Sequence, residues 1–67
     1  MEITLNNQPK TIAENASLQD IVFAQVGEKQ KGIAVAINNT VIPKQNWQST
    51  SIKQNDNILI IKATQGG

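Results

Sequence analysis

A chain of 67 residues and 7.3 kDa has room for a single small core, because at this size folding buries only about 60% of the unfolded surface. It contains no Cys and no His, which removes disulfides, thiolate metal sites and the Ser–His and Cys–His nucleophile pairs of hydrolases. Six Lys against five acids leave a net charge of +1, and without any Arg the composition argues against nucleic acid as a partner.

Met1, Ile3 and Leu5 alternate with Glu2, Thr4 and Asn6, the period of two of a strand with one buried face. Asn6-Asn7-Gln8-Pro9 is a run of turn formers, after which Lys10-Thr11-Ile12 reads as a short second strand that completes a hairpin. Ser17 starts a helix. Its side chain can accept from the backbone of the first turn, and Asp20 stands three residues on, where the acid of a capping box belongs. Leu18, Ile21, Val22 and Val26 make one apolar stripe along that helix, and Gly27 ends it as the residue that tolerates a left-handed backbone. Glu28 to Gly32 is polar, without periodicity, and reads as a loop.

From Ile33 the period of two returns, with bulky Ile33, Val35 and Ile37 on one face and small Ala34 and Ala36 on the other. Asn38-Asn39 suits a turn with positive φ, and Val41-Ile42 is a brief strand that Pro43 ends by removing a donor. Lys44 to Thr50 is irregular, with one tight turn of helix carrying Trp47, which is expected as a lid over the edge of the core. Gln54-Asn55-Asp56-Asn57 is a further turn before Ile58-Leu59-Ile60-Ile61, the most strand-like run in the chain. Ala63-Thr64-Gln65-Gly66-Gly67 has no core periodicity, so residues 63–67 are expected to be a flexible functional tail.

The order of hairpin, helix, strand pair and final strand predicts a single α+β domain over residues 1–67. Its sheet is mixed and four- or five-stranded, with one helix packed on one face in the ubiquitin-like β-grasp arrangement. The helix stripe needs a partner, and the faces carrying Ile3, Leu5, Ile33, Val35, Ile58 and Ile60 supply it. If Ile58 and Ile60 point at the helix, Leu59 and Ile61 point outward, beside Ala34 and Ala36 of the neighbouring strand. Exposed apolar groups that sit together mark an interface, so these four residues are the expected partner-docking face.

No apolar run approaches the roughly 18 residues of a membrane span, and Met1-Glu2-Ile3-Thr4 lacks the basic and apolar regions of a signal peptide. The chain is therefore expected in the cytoplasm and off the membrane. The acids Glu2, Glu14, Asp20, Glu28 and Asp56 are scattered singly, with no hint of a catalytic carboxylate pair. Neither a metal nor catalytic residues are expected, and Lys62 reads as a solvated charge beside the tail.

Gly66-Gly67 has a use that other residues serve poorly. Without Cβ atoms, an extended backbone can slide through a narrow channel of another protein and present the Gly67 carboxylate with no side chain obstructing attack. A carboxylate is a poor acyl donor until it carries a leaving group, which implies an ATP-dependent partner that forms an acyl-adenylate on Gly67.

Ala36-Ile37-Asn38, the segment Val41-Ile42-Pro43-Lys44-x-x-Trp47, Asp56 just before an aliphatic final strand, and Gly66-Gly67 together resemble the ThiS family, the sulfur carriers of thiamin biosynthesis. The resemblance runs from Met1 to Gly67. It implies that an adenylating (E1-like) enzyme uses ATP to adenylate Gly67, that sulfur replaces AMP to give a C-terminal thiocarboxylate, and that thiazole synthase takes the sulfur. Thr64, Gln65 and Gly66 would enter the partner's active site ahead of Gly67. The chain would be a carrier acted on by enzymes, not an enzyme, with no bound cofactor and monomeric when free. Its lack of Cys agrees, since only the C-terminus could then hold transferable sulfur covalently. The Gly-Gly end is common to other ubiquitin-like proteins, which leaves open the small subunit of molybdopterin synthase, a modifier conjugated to lysines, and a passive interaction domain.

Overall fold

The computed structural model describes residues 1–28 and 31–62. The expected tail, with Thr64, Gln65, Gly66 and Gly67, lies outside the described residues, as do positions 29 and 30 of the expected loop.

The first hairpin joins Glu2–Leu5 (β1) to Gln8–Thr11 (β2). Leu5 lies opposite Gln8, which leaves Asn6 and Asn7 as a two-residue turn, both with positive φ, 51° and 68°. This is the backbone of a type I′ turn, whose twist matches that of the strands it joins. The second strand therefore begins earlier than expected and includes Pro9. Register explains why a proline is tolerated there. Met1 and Ile12 exchange both of their backbone bonds, at 2.8 and 2.9 Å, so Pro9 opposite Thr4 falls at a position that makes no ladder bond. Its missing N–H faces the open edge of the sheet, where it discourages a further strand.

The helix runs over Leu18–Val26 (α1) with a complete capping box. The Asp20 amide donates to Ser17 Oγ at 3.2 Å, and the Ser17 amide donates to the Asp20 carboxylate at 3.0 Å. Gly27 closes the helix at φ 68°, its amide donating to the Phe23 carbonyl at 2.7 Å. Leu18, Ile21 and Val22 are buried and Val26 is half-buried against the core, as the stripe requires.

Ile33–Ile37 (β3) turns at Asn38 and Asn39, with φ of 50° and 72°, into Thr40–Val41 (β4). The fourth strand thus starts one residue before the expected Val41-Ile42, and Ile42 has already left it, although its amide still donates to the Val35 carbonyl at 2.8 Å. Pro43 then leads into a 3-10 turn, Lys44–Asn46, that delivers Trp47. Trp47 is no lid: it is 1% exposed and among the largest fully buried side chains. Enclosure is possible because the indole N–H donates to the Ile42 carbonyl at 2.8 Å, leaving no orphan donor inside. Ile52, in the irregular segment that follows, is a second core residue that periodicity does not reveal.

Asn57–Lys62 (β5) completes a five-stranded mixed sheet in the order β2-β1-β5-β3-β4. The strand made last occupies the middle. It runs parallel to β1, with Leu5 opposite Ile58, and antiparallel to β3 from Ile37 opposite Ile58 to Ile33 opposite Lys62. Ile58 and Ile60 point into the core shared with α1, together with Ile3, Leu5 and Val35. One helix on one face of a mixed sheet is the α+β, β-grasp architecture that the order of elements predicts.

Candidate functional site

The face of the sheet turned away from α1 carries the predicted docking residues as direct neighbours. Ala34 pairs with Ile61 and Ala36 with Leu59 across β3 and β5, so alternation puts all four side chains on one side. The register with β4 adds Val41, which pairs with Ala36. Val41, Ala36 and Leu59 thus form one row across three strands, with Ala34 and Ile61 beside it. Ile61 and Val41 are 55% and 68% exposed, Leu59 is half-buried and Ala34 is exposed. Ala36 is only 8% exposed, because its methyl group is the floor between two larger neighbours. The result is a shallow apolar surface rimmed by Val41 and Ile61. Val41 escaped the sequence reading, since only the Asn38-Asn39 turn fixes which β4 residue faces Ala36. Phe23, 53% exposed, lies on the helix in the other layer.

The polar groups around this fold are engaged in shaping turns. Ser17 caps α1, while the Ser49 and Thr50 hydroxyls donate to the Asn46 carbonyl at 3.2 and 2.6 Å. The Asp56 carboxylate accepts from the Lys53 amide at 2.8 Å and from the Asn38 side-chain amide at 3.1 Å. Among the described residues no three of His, Cys, Asp or Glu lie together as metal ligands would. No helix among them is long and apolar enough to cross a membrane. What the described surface offers is apolar shape on the outer face, next to the strand that hands the chain on at Lys62 to residues 63–67, where Gly66 and Gly67 lie.

The ThiS family model matches residues 3–67. The chain belongs to the ThiS family, the sulfur carriers of thiamin biosynthesis. It is 28% identical to the sulfur carrier protein ThiS of Escherichia coli over 67 residues, covering 100% of both chains. It is also 31% identical to an uncharacterized protein of Porphyra purpurea, covering 100% of this chain and 93% of that one. The crystal structure of ThiS from Geobacter metallireducens has a TM-score of 0.84 with 23% identity, each chain covered to 100%. The solution structure of a thiamine biosynthesis protein from the same organism has a TM-score of 0.80 with 23% identity, covering 100% of this chain and 88% of that one. At that identity the two structures speak for the fold, which is thus the ThiS β-grasp. Within the Val41 to Trp47 segment the chain leaves β4 after Val41, and the Trp47 indole N–H returns to the Ile42 carbonyl.

Proposed function

We propose that this chain carries sulfur on the carboxylate of Gly67 and is a substrate of its partners. A carboxylate oxygen of Gly67 attacks the α-phosphorus of ATP in an adenylating enzyme, which releases pyrophosphate and leaves an acyl-adenylate. A sulfur nucleophile then displaces AMP to give the thiocarboxylate, and thiazole synthase accepts the sulfur. Activation is needed because AMP is a far better leaving group than the oxygen of a free carboxylate. Gly66, Gln65 and Thr64 thread the partner's channel, and the outer face with Leu59, Ile61, Ala34 and Ala36 docks first on the adenylating enzyme and then on the synthase. ATP is bound by the partner and not by the carrier, which works as a monomer in the cytoplasm.

The observation that carries this reading is the family match through to Gly67, with end-to-end coverage of a sulfur carrier. The apolar face beside the strand that leads to the tail supports the docking step. Incubation with the family's adenylating enzyme, ATP and a sulfur donor, read by intact mass, tests it: the expected product has one oxygen replaced by sulfur at Gly67. An unchanged mass with an enzyme active on its own carrier overturns the reading. Transfer to thiazole synthase, and not to a molybdopterin precursor, then distinguishes the two kinds of carrier.

A further inference from the structure

The two hairpin turns share a feature that a turn alone does not require. Asn6 and Asn38 are each the first residue of a two-residue turn, each with left-handed backbone, φ 51° and 50°. Both grip β5. Asn38 does so at its start: its amide donates to the Asn57 carbonyl at 2.8 Å and its side-chain oxygen accepts from the Asn57 amide at 3.0 Å. Asn6 does so further along, on the edge that faces β1, where its amide donates to the Ile58 carbonyl at 2.9 Å and its Oδ1 accepts from the Ile60 amide at 2.8 Å.

The Asn6 contact matters because of what β1 leaves uncovered. Pairing between β1 and β5 stops at Leu5 and Ile58, where the chain turns away, while β5 continues to Lys62. On that side the Asn6 side chain stands where the carbonyl of a continuing strand would stand, so the ladder gains one more rung. Glycine would satisfy the left-handed turn as well. It could not reach Ile60.

We propose that Asn6 is a positioning residue for carrier function, fixing the direction in which β5 launches the segment that ends in Gly67. This rests on the reading of Gly67 as the acylated group. The docking face is braced separately, by the pairing of Leu59 and Ile61 with Ala36 and Ala34. Loss of the Asn6 side chain should therefore leave docking nearly intact and scatter the approach of the carboxylate to ATP, and small misplacements of a reacting group are costly in rate.

The test measures adenylation kinetics on the whole chain, with the adenylating enzyme and ATP, for the native protein, Asn6→Gly, Asn6→Asp and Asn38→Gly. Thermal midpoints and exchange of the Ile60 amide are followed alongside. Asn6→Gly should lower kcat about tenfold with KM held within about twofold, and should speed exchange at Ile60. Asn6→Asp keeps the acceptor and should restore kcat. Asn38→Gly removes the side-chain grip on Asn57 at the start of β5 and should lower the thermal midpoint while leaving kcat unchanged. An equal fall in kcat for Asn6→Gly and Asn38→Gly, or no fall in Asn6→Gly, overturns the positioning role alone. Failure of the native chain to form any adenylate overturns the reading of Gly67, and the role of Asn6 with it.

Discussion

The indole N–H of Trp47 donates to the carbonyl of Ile42 at 2.8 Å, so the largest side chain of the core is tied to the backbone at the point where the chain has just left β4. Trp47→Phe keeps most of the apolar contact but leaves that carbonyl without its partner, at a cost of about 1–2 kcal/mol. In a domain of this size the melting temperature should fall by roughly 4–8 °C for each kcal/mol. Trp47→Ala loses about 3–5 kcal/mol, enough to leave so small a domain largely unfolded. Circular dichroism melts of the two variants check both outcomes.

Leu59, Ile60 and Ile61 are consecutive yet should fail in different ways. Ile60 lies in the core, so Ile60→Asp buries an unpaired carboxylate and should unfold a marginally stable domain. Ile61 is 55% exposed, so Ile61→Asp should stay within about 0.5 kcal/mol of the native stability and lose binding to the adenylating enzyme, as read by titration calorimetry. Half-buried Leu59 should give a weakened but folded Leu59→Asp that also fails to bind. The reverse pattern, with Ile61→Asp unfolded and Ile60→Asp folded, would place the strand one residue out of register.

If Gly67 is the acylated residue, as proposed, an alanine added after it should move the carboxylate out of reach of the adenylating site. Adenylation of the extended chain should be lost, while its melting temperature should match the native value because the core residues run from Ile3 to Ile60. Intact-mass analysis and a thermal melt on the same sample decide it, and normal adenylation of the extended chain would refute the assignment of Gly67.

Ser17→Ala removes the oxygen that accepts the Asp20 amide and should cost about 1 kcal/mol. The helix start lies in the other layer from the docking face, so affinity for the adenylating enzyme should not change. Denaturant midpoints and binding measured together separate the two effects.

Local signals explain why some of this was legible in the sequence. Alternation in Ile3 to Leu5, Ile33 to Ile37 and Ile58 to Ile61, and the Ser17–Asp20 cap, depend on neighbours within one or two turns of chain. From the same alternation, Leu59 and Ile61 come out beside Ala34 and Ala36. Other features depend on partners the sequence does not name. Pro9 can belong to β2 only because no strand lies beyond that edge, and Val41 joins the apolar face only through its register with Ala36. Trp47 and Ile52 sit in a stretch without period, where burial follows from the path of the chain. Asn6 reads as a turn former, and its second role appears only when Ile60, 54 positions away, is set beside it.

The central place of β5 also governs the order of events in synthesis. Until residues 57–62 have emerged, the hairpin of β1 and β2 and the hairpin of β3 and β4 have no strand in common, and the helix has no continuous surface to cover. Folding must then close contacts between the two ends of the chain, the non-local pairing that slows folding most. A ribosome-bound or prematurely terminated chain that lacks this strand therefore lacks the centre of its sheet, and its two hairpins share no pairing partner.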